Sequence, residues 1–182
     1  MADGILEFTF KPVPNKKPAI TAFTVLLALG ATAAFASILA QSFKGLISMV
    51  AVVFLCAAVY IFTRYIAAEY AYVVACRGQE GPMLIVTKRV GKSVTTLFNM
   101  PLYRIQKIEA ETAKERRKRK IPAGTQHFNY TVTLFAPSGY RIYAKSRYAS
   151  SEILIEGTKQ LADRLMEYAE IAASLEAAEG DY

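Results

Sequence analysis

The sequence predicts an α+β protein: a two-helix transmembrane hairpin, then a small antiparallel sheet or split barrel closed by a C-terminal amphipathic helix. Three observations predict it. Two apolar runs, residues 19–40 and 46–63, contain no Asp, Glu, His, Lys or Arg. Short runs of strand type, punctuated by turn signals, come after them. From residue 152 onward, apolar side chains recur at steps of three and four.

The apolar runs come first. At about 1.5 Å per residue, run 19–40 as a helix covers roughly 33 Å, against a hydrocarbon core of about 30 Å. Run 46–63 ends before Arg64 and extends through 66–68 if that guanidinium snorkels. The link Gln41-Ser42-Phe43-Lys44-Gly45 is too short for a folded domain. Lys11, Lys16 and Lys17 precede the first run, Arg64 and Arg77 follow the second, and Lys44 alone lies between. That bias expects an integral membrane protein with both termini cytoplasmic. Tyr60, Tyr65, Tyr70 and Tyr72 read as an interfacial belt. Ala34-Phe35-Ala36 resembles a signal-peptide cleavage site, but an 18-residue leader with Asp3 and Glu7, and the length of the run, argue against one. Gly30 and Ala34 allow close helix approach, either within the hairpin or between copies of the chain. With no ionisable group inside either run, a proton relay or ion-coupled transporter has nothing to work with. Cys56 and Cys76 imply neither a disulfide framework nor a metal site.

The expected organisation is an N-terminal segment 1–18, the hairpin 19–68, a cytoplasmic domain 69–176 and a tail 177–182. Run 5–10, Ile-Leu-Glu-Phe-Thr-Phe, alternates like an edge strand or embeds among headgroups, and Pro12, Pro14 and Pro18 stop regular structure before the first apolar run. Residues 70–76 read as a strand, and 83–88 with 93–98 as a hairpin about Arg89-Val90-Gly91-Lys92. Residues 128–136 and 140–145 read as a second hairpin about Pro137-Ser138-Gly139, with Tyr130, Val132 and Leu134 on one face. The closing helix is expected from an N-cap at Ser150 or Ser151, with Glu152 in its first turn. Leu154, Thr158, Leu161, Leu165, Tyr168 and Ala172 form its stripe. Residues 102–111 suit helix by propensity and strand by context, and periodicity does not choose between them.

The segment Met100-Pro101-Leu102-Tyr103-Arg104-Ile105-Gln106-Lys107-Ile108-Glu109, set between a transmembrane hairpin and a closing helix, resembles the bacterial membrane-anchored PH-like proteins. The resemblance implies a PH-like domain at the bacterial inner (cell) membrane. It also implies a short turn running into a barrel strand, with Arg104 and Ile105 entering the sheet and Ile108 in the core. It implies a fold rather than an activity. The basic stretch at 114–120 and the run 5–10 have no counterpart in it.

The net charge of +7 is unevenly spread. Residues 69–151 hold 15 Lys/Arg against 5 Asp/Glu, or +10, and residues 152–182 hold 2 against 8, or −6. Lys114, Arg116, Arg117, Lys118, Arg119 and Lys120 form the densest cluster. It reads as a solvated loop, or as a contact for anionic lipid headgroups or an acidic protein. Nucleic acid draws weak support without interleaved aromatics or a recognition motif. No phosphate-binding glycine loop, dinucleotide fingerprint, zinc-protease motif or nucleophile elbow occurs, and His127 is the sole histidine. Glu109 and Glu111 share a face if their segment is a strand, and a charged surface strand accounts for them. The expectation is a non-catalytic, membrane-anchored binding module without cofactor or metal. The alternative is a self-associating scaffold subunit of a membrane complex, partnered by itself or another membrane protein.

Overall fold

The computed structural model describes residues 8–40, 43–76, 81–120, 122–146 and 149–179. The chain divides into two compact units, Pro14–Ala68 and the combination of Met1–Val13 with Glu69–Tyr182.

The first unit is a helical pair. Helix α1 spans Lys17–Leu39 and α2 spans Lys44–Ile61, the latter continued by a π-helical turn over Phe62–Ile66. Both are long and apolar enough to cross a membrane. Pro18 sits in the first turn of α1, where a missing N–H costs nothing. The helices meet along small residues: Gly30 and Ser37 on α1, Ala51 and Ala58 on α2 are buried. A Cβ on Gly30 would lie 2.9 Å from Leu55 Cδ2, so a larger residue there would make that leucine side chain shift. The small-residue face thus serves packing within the hairpin. At its base, Lys16 Nζ donates to the carbonyl of Ile66 (2.9 Å), a cation on an orphan carbonyl at a helix C-terminus. Arg64 lies over the rings of Tyr60 and Tyr65.

Among the described residues, the second unit holds two four-stranded sheets, a short helix and a long closing helix. Strands β1 (Phe8–Phe10), β2 (Ala68–Cys76), β3 (Pro82–Val90) and β4 (Ser93–Pro101) form one sheet in that order. The N-terminal run therefore adds an edge strand, with Phe8 opposite Val74 and Phe10 opposite Tyr72, while residues 5–7 lie outside the described residues. Tyr70 and Tyr72 are core residues of β2, not members of an interfacial belt, because strand alternation turns both inward.

The second sheet has the order β5-β7-β8-β6, from β5 (Ile105–Thr112), β6 (Thr125–Asn129), β7 (Ser138–Lys145) and β8 (Ser150–Ile155). A 3-10 turn, Leu102–Arg104, leads into β5, so the ambiguous stretch is turn and then strand. Ile105 is buried and Ile108 packs half-buried against the core, while Arg104 stays in the turn.

Two sequence expectations fail here. Residues 128–136 do not pair with β7. Strand β6 instead runs parallel to β8, which makes this sheet mixed rather than antiparallel. The chain leaves the ladder at Asn129, whose Oδ1 accepts from Thr131 N (3.0 Å). The Glu156 carboxylate then takes Val132 N (3.1 Å), Thr133 N (2.9 Å) and Thr133 Oγ1 (2.6 Å). Those side-chain acceptors replace strand partners and bury Thr131 to Thr133 as a tight loop.

The closing helix α4 also begins later than expected, at Lys159 and running to Glu179. Residues 150–155 are a strand: Ile153, Leu154 and Ile155 are all fully buried, as in a strand covered on both faces. Thr158 caps the true start, its carbonyl accepting from Leu161 N (3.1 Å). Leu161, Leu165 and Ala172 of the expected stripe, joined by Ala169 where Tyr168 was expected, enter a core shared with Tyr72, Leu84, Val86, Leu102, Ile142 and Ile153, and Tyr168 is only half-buried. Arg164 of α4 covers the ring of Phe8 (5.0 Å). Tyr72 links the two sheets: its hydroxyl donates to Tyr130 O (2.8 Å) and accepts from Glu156 N (3.2 Å), and burial pushes its phenol far above the ordinary value.

Gly139, at the start of β7, has no room for a side chain, since a Cβ there would sit 2.7 Å from the backbone oxygen of Ile155. Gly139→Ala must push β7 away from β8, and a loss of about 1–3 kcal/mol is expected in chemical denaturation of the detergent-solubilised chain.

Candidate functional site

One face of the second sheet carries the charge. On β7, Ile142 and Ala144 point into the core, so Arg141 and Tyr143 point the other way. Alternation puts Lys107, Glu109 and Glu111 of β5 on that same face, together with Glu152 of β8. Short helix α3, Ala113–Lys118, comes directly after β5. It starts in a reciprocal capping box: Glu115 N donates to Thr112 Oγ1 (3.3 Å), and Thr112 N donates to Glu115 Oε2 (2.8 Å). Hydrogen bonds to that carboxylate, first from the Thr112 backbone, hold the Glu115 carboxyl below its usual range.

Arg141 is the centre of this face and is 2% exposed. Its Nη2 donates to both oxygens of Glu111 (2.8 and 2.6 Å), and its Nη1 donates to Glu152 Oε2 (2.7 Å). Arg119, just beyond α3, donates to Glu152 Oε1 (2.8 Å) and to the Tyr143 hydroxyl. Arg116 Nε lies 3.5 Å from Glu111 Oε2. Every oxygen of the two buried carboxylates is thus engaged by a guanidinium, and one network ties β5, β7, β8 and the α3 segment together. At the rim, Lys107 pairs with Glu109 (2.5 Å), and that hydrogen bond holds Glu109 below and Lys107 above their ordinary values.

A cleft of about 500 Å³ opens over this face, lined by Glu109, Ala110, Glu111, Glu115, Arg119, Arg141 and Tyr143. Its carboxylates and guanidiniums are engaged with one another, with Lys107 or with Thr112, so the arrangement acts as an electrostatic clasp on the fold. Among the described residues, no group of three or more His, Cys, Asp or Glu could hold a metal ion.

The basic stretch therefore divides. Arg116 and Arg119 turn inward onto Glu111 and Glu152. Lys114, Arg117, Lys118 and Lys120 are exposed. Glu111 is not a surface carboxylate, as its placement on a charged strand suggested, but 7% exposed and paired. Sequence reasoning gave Arg141 no role and placed Glu152 in the first turn of a helix, whereas it lies in β8. The available signal was an arginine at an outward position of an otherwise apolar strand, Tyr-Arg-Ile-Tyr-Ala, and a glutamate opening the apolar run Ile-Leu-Ile. His127 sits at the rim, its Nδ1 3.4 Å from Arg141 Nη1.

The chain matches no protein-family model, and comparison with curated proteins finds no match.

The electrostatics of the clasp can be tested by substitution and by pH. Arg141→Met strips two buried carboxylates of their main partner, leaving Glu111 only Arg116 and Glu152 only Arg119, and is expected to cost about 3–5 kcal/mol in chemical denaturation. Combining it with Glu111→Leu and Glu152→Leu removes the stranded charges and restores most of the loss. For His127, burial and then the Arg141 charge hold the imidazole below its ordinary 6.5. The unfolded chain therefore takes up that proton first, and stability falls as pH drops below 6.5. His127→Gln should flatten this part of a plot of Tm against pH.

Proposed function

We propose that this chain is a membrane-anchored, non-catalytic binding module whose α3 segment offers a fixed basic surface to anionic lipid headgroups. The two apolar helices would span the membrane and hold the α+β unit, read as PH-like, at the cytoplasmic face, with both termini on that side. The observation that carries the reading is the division of the basic stretch. Arg116 and Arg119 anchor the segment on buried carboxylates, which leaves Lys114, Arg117, Lys118 and Lys120 exposed on a backbone fixed at its start by the Thr112–Glu115 box. Cations presented by an ordered segment lose less entropy on binding than the same charges in a free loop. Each basic residue near an anionic surface contributes on the order of 1 kcal/mol within a Debye length of about 8–10 Å. Tethering raises the effective concentration of headgroups, so modest intrinsic affinity suffices. The scaffold alternative draws less support, because Gly30, its best candidate for close approach between copies, packs against Leu55 within the hairpin.

The test uses the full chain in zwitterionic micelles. Added phosphatidylglycerol should raise its Tm, and 0.5 M salt, at roughly 4 Å Debye length, should abolish the rise. Replacing Lys114, Arg117, Lys118 and Lys120 together by Gln should weaken the lipid dependence by about tenfold or more. An undiminished response in that variant would refute the assignment to α3. A response to poly-glutamate but not to phosphatidylglycerol would transfer it to an acidic protein.

A further inference from the structure

The hairpin of β3 and β4 extends beyond the core. Its strands pair in register, Lys88 with Thr95, Arg89 with Val94 and Val90 with Ser93, around the turn Gly91-Lys92. Gly91 has φ +59°, the left-handed conformation that a two-residue hairpin turn requires at its first central position. A bulge interrupts the ladder between Val86 and Thr87, and beyond it the arm is uncovered on both faces: residues 89–97 are all exposed. Cross-strand pairing puts Lys88 and Val90 on one face and Arg89 and Val94 on the other. Val90 is 40% and Val94 63% exposed. Residues 87–97 include Lys88, Arg89 and Lys92 and no Asp or Glu. A protruding tip with an apolar side chain and a cation on each face matches a headgroup boundary, where the apolar groups enter and the cations meet phosphates.

Connectivity places this tip. The link from Cys76 to Pro82 is far too short for a parallel crossover, so β3 runs antiparallel to β2. Thr87 Oγ1 donates to the carbonyl of Ala71 (3.4 Å), which sets the register. Arg89 and Val90 therefore lie at the Glu69 end of β2, the end that follows the second apolar helix along the chain. Glu69 is the one acidic residue at that end of β2. Strand pairing fixes the tip beside Glu69, at the N-terminal end of β2.

We propose that the β3–β4 tip is a lipid-contacting wedge, with Val90 and Val94 entering the headgroup layer of an anionic bilayer and Lys88, Arg89 and Lys92 pairing with its phosphates. This rests on the membrane-anchored reading but uses an element separate from α3. The chain has no tryptophan, so a single introduced one reports cleanly. Val90→Trp, Val94→Trp and, within α2, Val53→Trp would each be made in the full chain and reconstituted into nanodiscs of phosphatidylcholine and phosphatidylglycerol with acyl-brominated lipid. Quenching of the Val53→Trp reporter and of at least one tip reporter, with tip quenching cut by roughly half when Lys88, Arg89 and Lys92 become Gln, is the expected result. Quenching of the Val53→Trp reporter alone would overturn the wedge and leave the anchor standing. No quenching at Val53→Trp would overturn the anchor itself. Tip quenching indifferent to the three Gln substitutions would overturn the phosphate pairing.

Discussion

A guanidinium that is almost wholly withdrawn from water has to be answered by negative charge, and Arg141 is answered by Glu111 on one neighbouring strand and Glu152 on the other. That requirement constrains the whole second sheet. A slip of one residue in β7 would turn Arg141 toward Ile142's place in the core and leave both carboxylates stranded. Replacing such a cluster by apolar side chains is often neutral or stabilising, so its contribution is specificity of register more than net stability. We take it here as the device that selects one pairing of β5, β7 and β8.

The same clasp decides what the basic stretch presents to its surroundings. Arg119 completes the coordination of Glu152, and Arg116 approaches Glu111. The segment between β5 and β6 is thereby drawn over the charged face instead of ranging through solvent. Four cations remain outward, and their geometry is inherited from two that do not. Fold and proposed surface are linked through this one network, so loss of Arg141 would disturb both.

The β3–β4 arm is built on the opposite logic. It buries little, and its outer half contributes nothing to the core shared by Tyr72, Leu84, Val86 and Leu161. A two-residue turn and a bulge suffice to hold it out. In solution, exposed Val90 and Val94 beside an unpaired edge are a liability. At a bilayer surface that liability becomes the contact itself, which is why we assign the arm to the lipid.

Much of the architecture was legible in the residues, for local reasons. The apolar runs 19–40 and 46–63 were readable because they are long and hold no charge, and both became long apolar helices within two residues of their expected starts. The first hairpin was readable from Arg89-Val90-Gly91-Lys92, since few sequences other than a turn place glycine between β-branched runs. The stripe on α4 was legible at Leu161, Leu165 and Ala172 from period alone. What the residues did not disclose was everything that depends on partners distant in sequence. Local alternation at Tyr130 and Val132 suggested a strand until Glu156 supplied the acceptors that pulled this stretch out of the ladder. Ser150, Ser151 and Glu152 look like a helix start, and only burial on both faces of β8 made them a strand. Arg141, Glu111 and Glu152 are three ordinary charges along the chain. They become a site only where three strands bury them within hydrogen-bonding distance of one another, and no local pattern encodes that meeting.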